Sequence, residues 1–383
     1  MAQLDAGILR GRVLGRERSM VRHLDLTLLV AVLGLVTYGL LMVYSSTHRS
    51  QAVFGFDSTY FLRRQAMFLV LGLGAMAVAT VLDYRVIKIY APFVYGLFVI
   101  LLVAVQSPLG SSALGAQRWF QLAGFQFSPS LFTRLVLVVM LAAYLSDQRG
   151  EMGLADVIKA VAIGAVPMLL VFIQPDIGTT IILAAILVSL LVAAGTRARY
   201  LVVLALVATL AIFGAFHLHI IKQYQLQRLT SFLDPTNNTQ TASYNLHQSE
   251  IAIGAGGLSG RGYLQGTQTN LSFVPEQHTD FIFTVVGEEL GFLGAMMLLV
   301  LFAVVMWRAF RIALLSRDPF GTFVATGVGA MFAIQVFVNV GMTIGIMPIT
   351  GIPLPFISYG GSALIADLVA VGLLLNIHMR RAQ

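Results

Sequence analysis

The chain has 383 residues, 58% of them hydrophobic and 11% charged, with a formal charge of +7 and no cysteine. A charged share far below the roughly 25% of soluble domains excludes an ordinary soluble enzyme, and the missing cysteine excludes disulfides, cysteine-ligated metals, iron–sulfur clusters and thiol catalysis. At about 20 apolar residues per bilayer crossing, there is chain enough for ten spans and some loop.

Residues 1–24 are arginine-rich and precede the first apolar run, 26–43. That run lacks the short core and small-residue cleavage site of a signal peptide, so 1–24 reads as a cytoplasmic segment before an uncleaved first span. Nine more runs follow at 65–82, 87–105, 131–145, 155–173, 178–194, 200–218, 281–307, 321–346 and 359–377. The expected fold is an all-α polytopic membrane protein, one integral domain over 1–383 with ten transmembrane helices. With the N-terminus inside, 16 Lys and Arg fall on inner segments and 8 on outer ones. The positive-inside rule then places both termini in the cytoplasm. The +7 charge is topology, and no aromatic-interleaved basic patch points to nucleic acid.

The connections are unequal. Residues 219–280 form a long extracytoplasmic loop between spans seven and eight, expected to contain short helices, including one lying on the bilayer around Tyr224, Leu226, Leu229, Phe232 and Leu233. A second outer connection, 106–130, carries Arg118 and Trp119. A third, 348–358, holds Pro348, Pro353 and Pro355 and no charge, which suits a rigid turn packed against protein. The glycine string 254–262 lacks the Lys-Ser/Thr ending of a phosphate loop and reads as a site of close packing.

Ionisable residues at or inside apolar runs are functional candidates. They are Arg134, Asp176, Asp280, Glu288, Glu289 and Asp367. Arg134, Asp176, Asp280 and Glu288 fall near outer span ends, which predicts a shared outer cavity. Asp280 reads as a helix N-cap, a general base or a metal ligand. If 276–280 is extended, Glu276, His278 and Asp280 share a face where a divalent cation would fit. Arg134 is either a snorkelling helix anchor or a cation for a phosphate. Asp176 is an N-cap by position, with a pairing to Arg134 as the sharper alternative. Trp119 is an interfacial belt residue or a sugar platform, and Asp367 is expected to pair inside the bundle.

Several runs together resemble a known family. Residues 224–235, 249–262, 266–268 and 275–283 with Glu288-Glu289-Leu290-Gly291 are similar to the long outer loop of the shape, elongation, division and sporulation (SEDS) polymerases. The stretches 353–362, 115–119 and 174–178 are further matches. The segment Gly266-Thr267-Gln268 is closer to the rod-shape, elongation branch than to the division branch. The resemblance implies a peptidoglycan glycosyltransferase that polymerises lipid II at the outer face of the bacterial cytoplasmic membrane during cell elongation, with a class B penicillin-binding protein as partner. It implies Asp280 as the essential aspartate, Arg118 and Trp119 as an outer-loop pair, and Arg134 and Asp176 as cavity residues. One departure stands out: the family pattern Pro-Ser-Glu reads Pro129-Ser130-Leu131 here.

The implied chemistry suits the residues. The diphosphate of a polyprenyl donor leaves already anionic, so one base, Asp280, takes the acceptor proton, and the anomeric centre inverts. Arg134, with Arg118, Lys222 and Arg261, is expected to hold the diphosphate, helped by a divalent cation, Mg or Mn. Two other readings use the same residues: a lipid II flippase, and a non-catalytic membrane scaffold for a penicillin-binding protein.

Overall fold

The structure, a computed structural model, describes residues 24–53, 55–108, 110–113, 116–122, 125–148, 150–217 and 241–381. Its helices are α1 Leu26–Val53, α2 Tyr60–Val81, α3 Tyr84–Ala104, α4 Pro129–Ser146, α5 Leu154–Ile173, α6 Ile177–Ala193, α7 Ala198–His217, α8 Thr241–Gly256, α9 Thr267–Asn270, α10 Ile282–Leu315, α11 Pro319–Thr343 and α12 Gly361–Arg380. Each of the ten expected runs is a helix. Eight are long and apolar enough to cross a membrane; α6, and the Ala198–Ala211 part of α7, are shorter apolar helices. The chain is a multi-pass helical membrane protein. The long loop contains short helices, α8 and α9, while the bilayer-surface helix expected around Tyr224 lies outside the described residues.

The connection 106–130 departs from the all-α expectation. Strands β1 Ser111–Ala113, β2 Ala116–Leu122 and β3 Phe125–Phe127 form an antiparallel sheet in the order β1-β2-β3. Strands of three, seven and three residues are too short for a period-of-two pattern to stand out in the sequence.

Helix ends follow local chemistry. Asp83 caps α3 by accepting from Arg85 N (3.0 Å), and Asp318 caps α11 by accepting from Gly321 N (3.3 Å). Pro129 and Pro319 open α4 and α11, where a missing N–H costs nothing. At the end of the bundle where α1 begins, charges pair across elements: Arg308 Nε with Asp25 (2.7 Å), Arg380 with Asp83 (3.2 Å), and Lys88 with Asp147 (2.6 Å). Those contacts leave the middle of the bundle to apolar side chains, with α12 buried along most of its length.

At the other end, α10 is broken. Gly291 has φ 63 and ψ −162, a conformation open almost only to glycine. The N–H groups of Phe292 and Leu293, which would continue the helix, instead donate to the carbonyls of Gly257 and Leu258 (2.9 and 3.1 Å). The carbonyls of Glu288 and Glu289 accept in turn from the N–H groups of Arg261 and Gly262 (3.0 and 2.9 Å). The glycine string thus enters the helix ladder backbone to backbone, the close packing its composition predicts. A Cβ at Gly291 would sit 2.3 Å from Gly260 N. Gly291→Ala is therefore expected to cost about 1–3 kcal/mol from backbone strain, read as a lowered melting temperature of the detergent-solubilised protein.

Candidate active site

The broken end of the bundle holds a cavity of about 790 Å³. Tyr60, Phe61, Arg64 and Phe68 of α2 form one wall, and Arg118, Trp119 and Gln121 of the sheet another. Leu131 of α4, Asp176, the segment 276–280 (Glu276, His278, Thr279 and Asp280) and the 350–362 turn complete it. The lining includes Tyr60, Ser130, Asp176 and Gly361, which stand at the N-terminal ends of α2, α4, α6 and α12. Four helix ends of positive dipole therefore meet one space, a setting that favours an anion.

Asp280 is half-buried on this cavity. The backbone around it is fixed from three directions. Tyr359 N donates to the His278 carbonyl (2.9 Å), Ser358 Oγ to the Thr279 carbonyl (2.6 Å) and Asn339 Nδ2 to the Asp280 carbonyl (2.8 Å). The N-cap of α10 is Phe281, without a side-chain capping bond, so the N-cap position falls one residue beyond Asp280. Nor is 276–280 extended: Glu276 has φ 53, and the segment turns, with Thr279 Oγ1 donating back to Glu276 Oε2 (3.1 Å). Glu276, His278 and Asp280 all reach the cavity, but not as a strand face. Among the described residues, no three His, Asp or Glu side chains gather as a metal-holding group.

Asp176 fills the expected N-cap role, and the pairing expected with Arg134 is made with another arginine instead. Its carboxylate caps α6, accepting from Thr179 N (3.1 Å) and Thr179 Oγ1 (3.0 Å). Its ion pair is with Arg118 Nη1 at 3.7 Å. Arg118 is held further by the carbonyls of Gln174 (3.0 Å) and Pro175. Arg134 does not make that pair: it is 1% exposed, beneath the cavity wall, with Nε on the Leu131 carbonyl (3.1 Å) and Nη1 on Gln335 Oε1. A side chain this deep is no snorkelling anchor.

The profile of the cell cycle protein family FtsW/RodA/SpoVE matches residues 26–383. The chain belongs to the FtsW/RodA/SpoVE family. A Geobacter sulfurreducens relative, a probable peptidoglycan glycosyltransferase FtsW, is 36% identical over 376 residues, covering 96% of this chain and 98% of the relative. The Escherichia coli peptidoglycan glycosyltransferase MrdB is 37% identical over 359 residues, 94% of each chain. Among solved structures, a chain of a peptidoglycan synthase complex that coordinates polymerization and crosslinking is similar with a TM-score of 0.79, at 30% identity over 94% of this chain and 99% of that one. The rod shape determining protein RodA of Thermus thermophilus follows, with a TM-score of 0.70 at 28% identity, covering 94% and 98%.

Within this FtsW/RodA/SpoVE chain, one other expected site residue stands elsewhere. Arg261 is exposed, with Nε on the Ala255 carbonyl (3.2 Å), and does not line the cavity. Lys222 lies outside the described residues. Glu288, expected near the cavity, is instead fully buried, accepting from Gln268 N, Thr269 N and Thr269 Oγ1 (2.8, 2.9 and 2.7 Å). Glu289 accepts from Ser45 Oγ and Leu264 N (2.6 and 3.2 Å). This pair of acids fastens 264–270 to the kinked helix.

Sequence reasoning missed Arg64, which donates to the Tyr60 hydroxyl (2.7 Å) at the cavity wall. The signal was present: Arg63-Arg64 adjoins an apolar run just as Arg134 does. It also missed the aromatic setting of His278, whose ring lies 5.0 Å from Phe61 and 5.6 Å from Tyr359. Burial pushes that imidazole below its ordinary 6.5, with Glu276 pulling the other way more weakly. As pH falls, the unfolded chain takes up this proton first, so the linked stability is present above pH 6.5 and is lost as pH drops through the lower folded value. Melting followed from pH 7 to about 5 should show that loss, and His278→Gln should remove the share due to this ring.

Proposed function

We propose that this chain polymerises lipid II into glycan strands at the outer face of the cytoplasmic membrane during cell elongation. Its class, a peptidoglycan glycosyltransferase, agrees with relatives of that name covering nearly its whole length. The observation that carries the mechanism is a carboxylate, Asp280, on a fixed backbone beside a space where four helix N-termini and two arginines converge.

The roles follow from charge and reach. Arg64 and Arg118, with the helix dipoles, hold the donor diphosphate; Arg134 adds its charge from below. Asp280 takes the proton of the acceptor hydroxyl as that oxygen bonds to the donor anomeric carbon. The bond from that carbon to the diphosphate breaks on the opposite face, its electron pair leaving with the phosphate, so the centre inverts. Trp119 and Phe61 offer flat apolar faces beside the sugars. The polyprenyl tail belongs in an apolar groove of about 440 Å³ between α2, α3, α4 and α12, whose wall includes Phe132 next to Leu131.

A divalent ion, Mg or Mn, would share the diphosphate charge when bound. The described side chains do not form a cage for it, so no step is assigned to a metal. The similarity to a chain from a synthase complex supports a class B penicillin-binding protein as partner, supplying the crosslinks. The 16-to-8 split of basic residues supports cytoplasmic termini.

Purified Asp280→Asn is expected to lose polymerisation of lipid II by about 10²–10⁴-fold, the usual worth of a general base. Arg64→Gln should raise KM more than it lowers kcat. Near-parental turnover by Asp280→Asn would sink the mechanism; a parent that makes no glycan but moves labelled lipid II across vesicles, and an Asp280→Asn variant that moves it equally well, would put the flippase reading in its place.

A further inference from the structure

One residue of the 276–280 turn faces away from the cavity. Glu276, His278, Thr279 and Asp280 line it, whereas Gln277 does not and is 5% exposed. Its Nε2 donates to two carbonyls on separate elements, Ser46 of α1 (2.8 Å) and Thr269 of α9 (3.0 Å). A buried carboxamide bonded on two sides holds its side chain in one place, and losing it leaves the partner carbonyls short of a donor.

Both acceptors belong to a larger set. Thr269 N and Oγ1 donate to Glu288 (2.9 and 2.7 Å), and Ser45, the neighbour of Ser46, donates to Glu289 (2.6 Å). Because Glu288 adjoins Glu289 and Ser45 adjoins Ser46, these bonds close a ring. It runs from Gln277 to α9, on to the kinked helix α10, across to α1 and back to Gln277. The chain that passes through the ring is sharply bent: Leu264, Ser272 and Glu276 have φ of 64, 54 and 53. Residues with a side chain hold such angles only where contacts on several sides impose them, and Glu276 is the residue just before Gln277.

We propose that Gln277 is a positioning residue for glycosyl transfer: its two bonds anchor the 276–280 turn to the ring, and the anchored turn holds Asp280 at the cavity. Tyr359, Ser358 and Asn339 secure the turn from the side of the proline turn and α11. Gln277 secures it from the side of α1 and α9, without touching substrate. The turnover part of this proposal rests on the polymerase reading; the positional part does not.

The test uses the full chain in liposomes with lipid II, together with amide hydrogen exchange. Gln277→Met keeps the length of the side chain and removes the N–H groups. Gln277→Glu keeps its outline and puts an oxygen where the N–H groups were. In Gln277→Met, exchange at 276–281 should rise about tenfold while the apolar helices keep parental rates, the signature of local opening. Its kcat should fall about tenfold, with KM within about twofold, since Asp280 is displaced while the groups that bind substrate stay in place. Gln277→Glu should lose kcat to a similar degree, because matching the shape does not replace the donors. Near-parental kcat in either variant, parental exchange at 276–281 in Gln277→Met, a uniform rise over all helices, or a rise in KM larger than the fall in kcat would overturn the proposal. A parent chain that makes no glycan overturns the polymerase reading instead, and the exchange pattern still decides whether Gln277 holds the turn.

Discussion

Three successive carbonyls, those of His278, Thr279 and Asp280, each need a donor, and each receives one from a different place: Tyr359 N, Ser358 Oγ and Asn339 Nδ2. Irregular backbone at the end of a membrane bundle has little water to turn to, and an unmatched polar group there costs several kcal/mol. The site depends on this matching. The donors themselves are fixed: Gln65 Nε2 on α2 donates to the Ser358 carbonyl (3.2 Å), Gln65 Oε1 accepts from Gly360 N (3.3 Å), and Asn339 also donates to the Ile352 carbonyl (2.7 Å). Helices α2 and α11 and the proline turn thus share one polar seam. A carboxylate on such a backbone is oriented before substrate arrives, which is where much of an enzyme's rate advantage originates.

The apolar frame gives a few charges their effect. In a medium of low polarity, each arginine or helix end acts over a longer range than it would in water. Arg118 shows how such a charge is kept in place without being neutralised. Two backbone carbonyls grip its guanidinium, and Asp176 stands at 3.7 Å while spending its oxygens on Thr179. The acid thereby steadies the arginine and the helix end together, and the guanidinium still lines the cavity.

Much of this was legible in the sequence, for identifiable reasons. Long apolar runs between charged connections locate the helices, because burial in lipid leaves few other options. Asp280 and Asp176 stand out because ionisable residues at span ends are costly, and Arg118 and Trp119 because they sit in an outer connection that matches the family. What was hidden is what tertiary contact decides. The left-handed Glu276 cancels the extended face expected for 276–280. Glu288 and Glu289 looked like site acids but satisfy loop N–H groups and a serine hydroxyl. The convergence of four helix N-termini has no sequence signature, since it follows from how the bundle is assembled. Arg64 was hidden only by being read as an orientation signal.

Leu131 is the residue at which sequence and structure give the most different accounts. Read against the family pattern, it is a missing carboxylate beside a cation. In the structure, its side chain lines the cavity while its carbonyl accepts from Arg134 Nε. Gln335 on α11 takes a second guanidinium nitrogen. Two of the three guanidinium nitrogens of Arg134 are therefore bonded without any acid at 131. The consequence falls on the cavity side of that helix: a leucine adds no negative charge to the wall a diphosphate approaches.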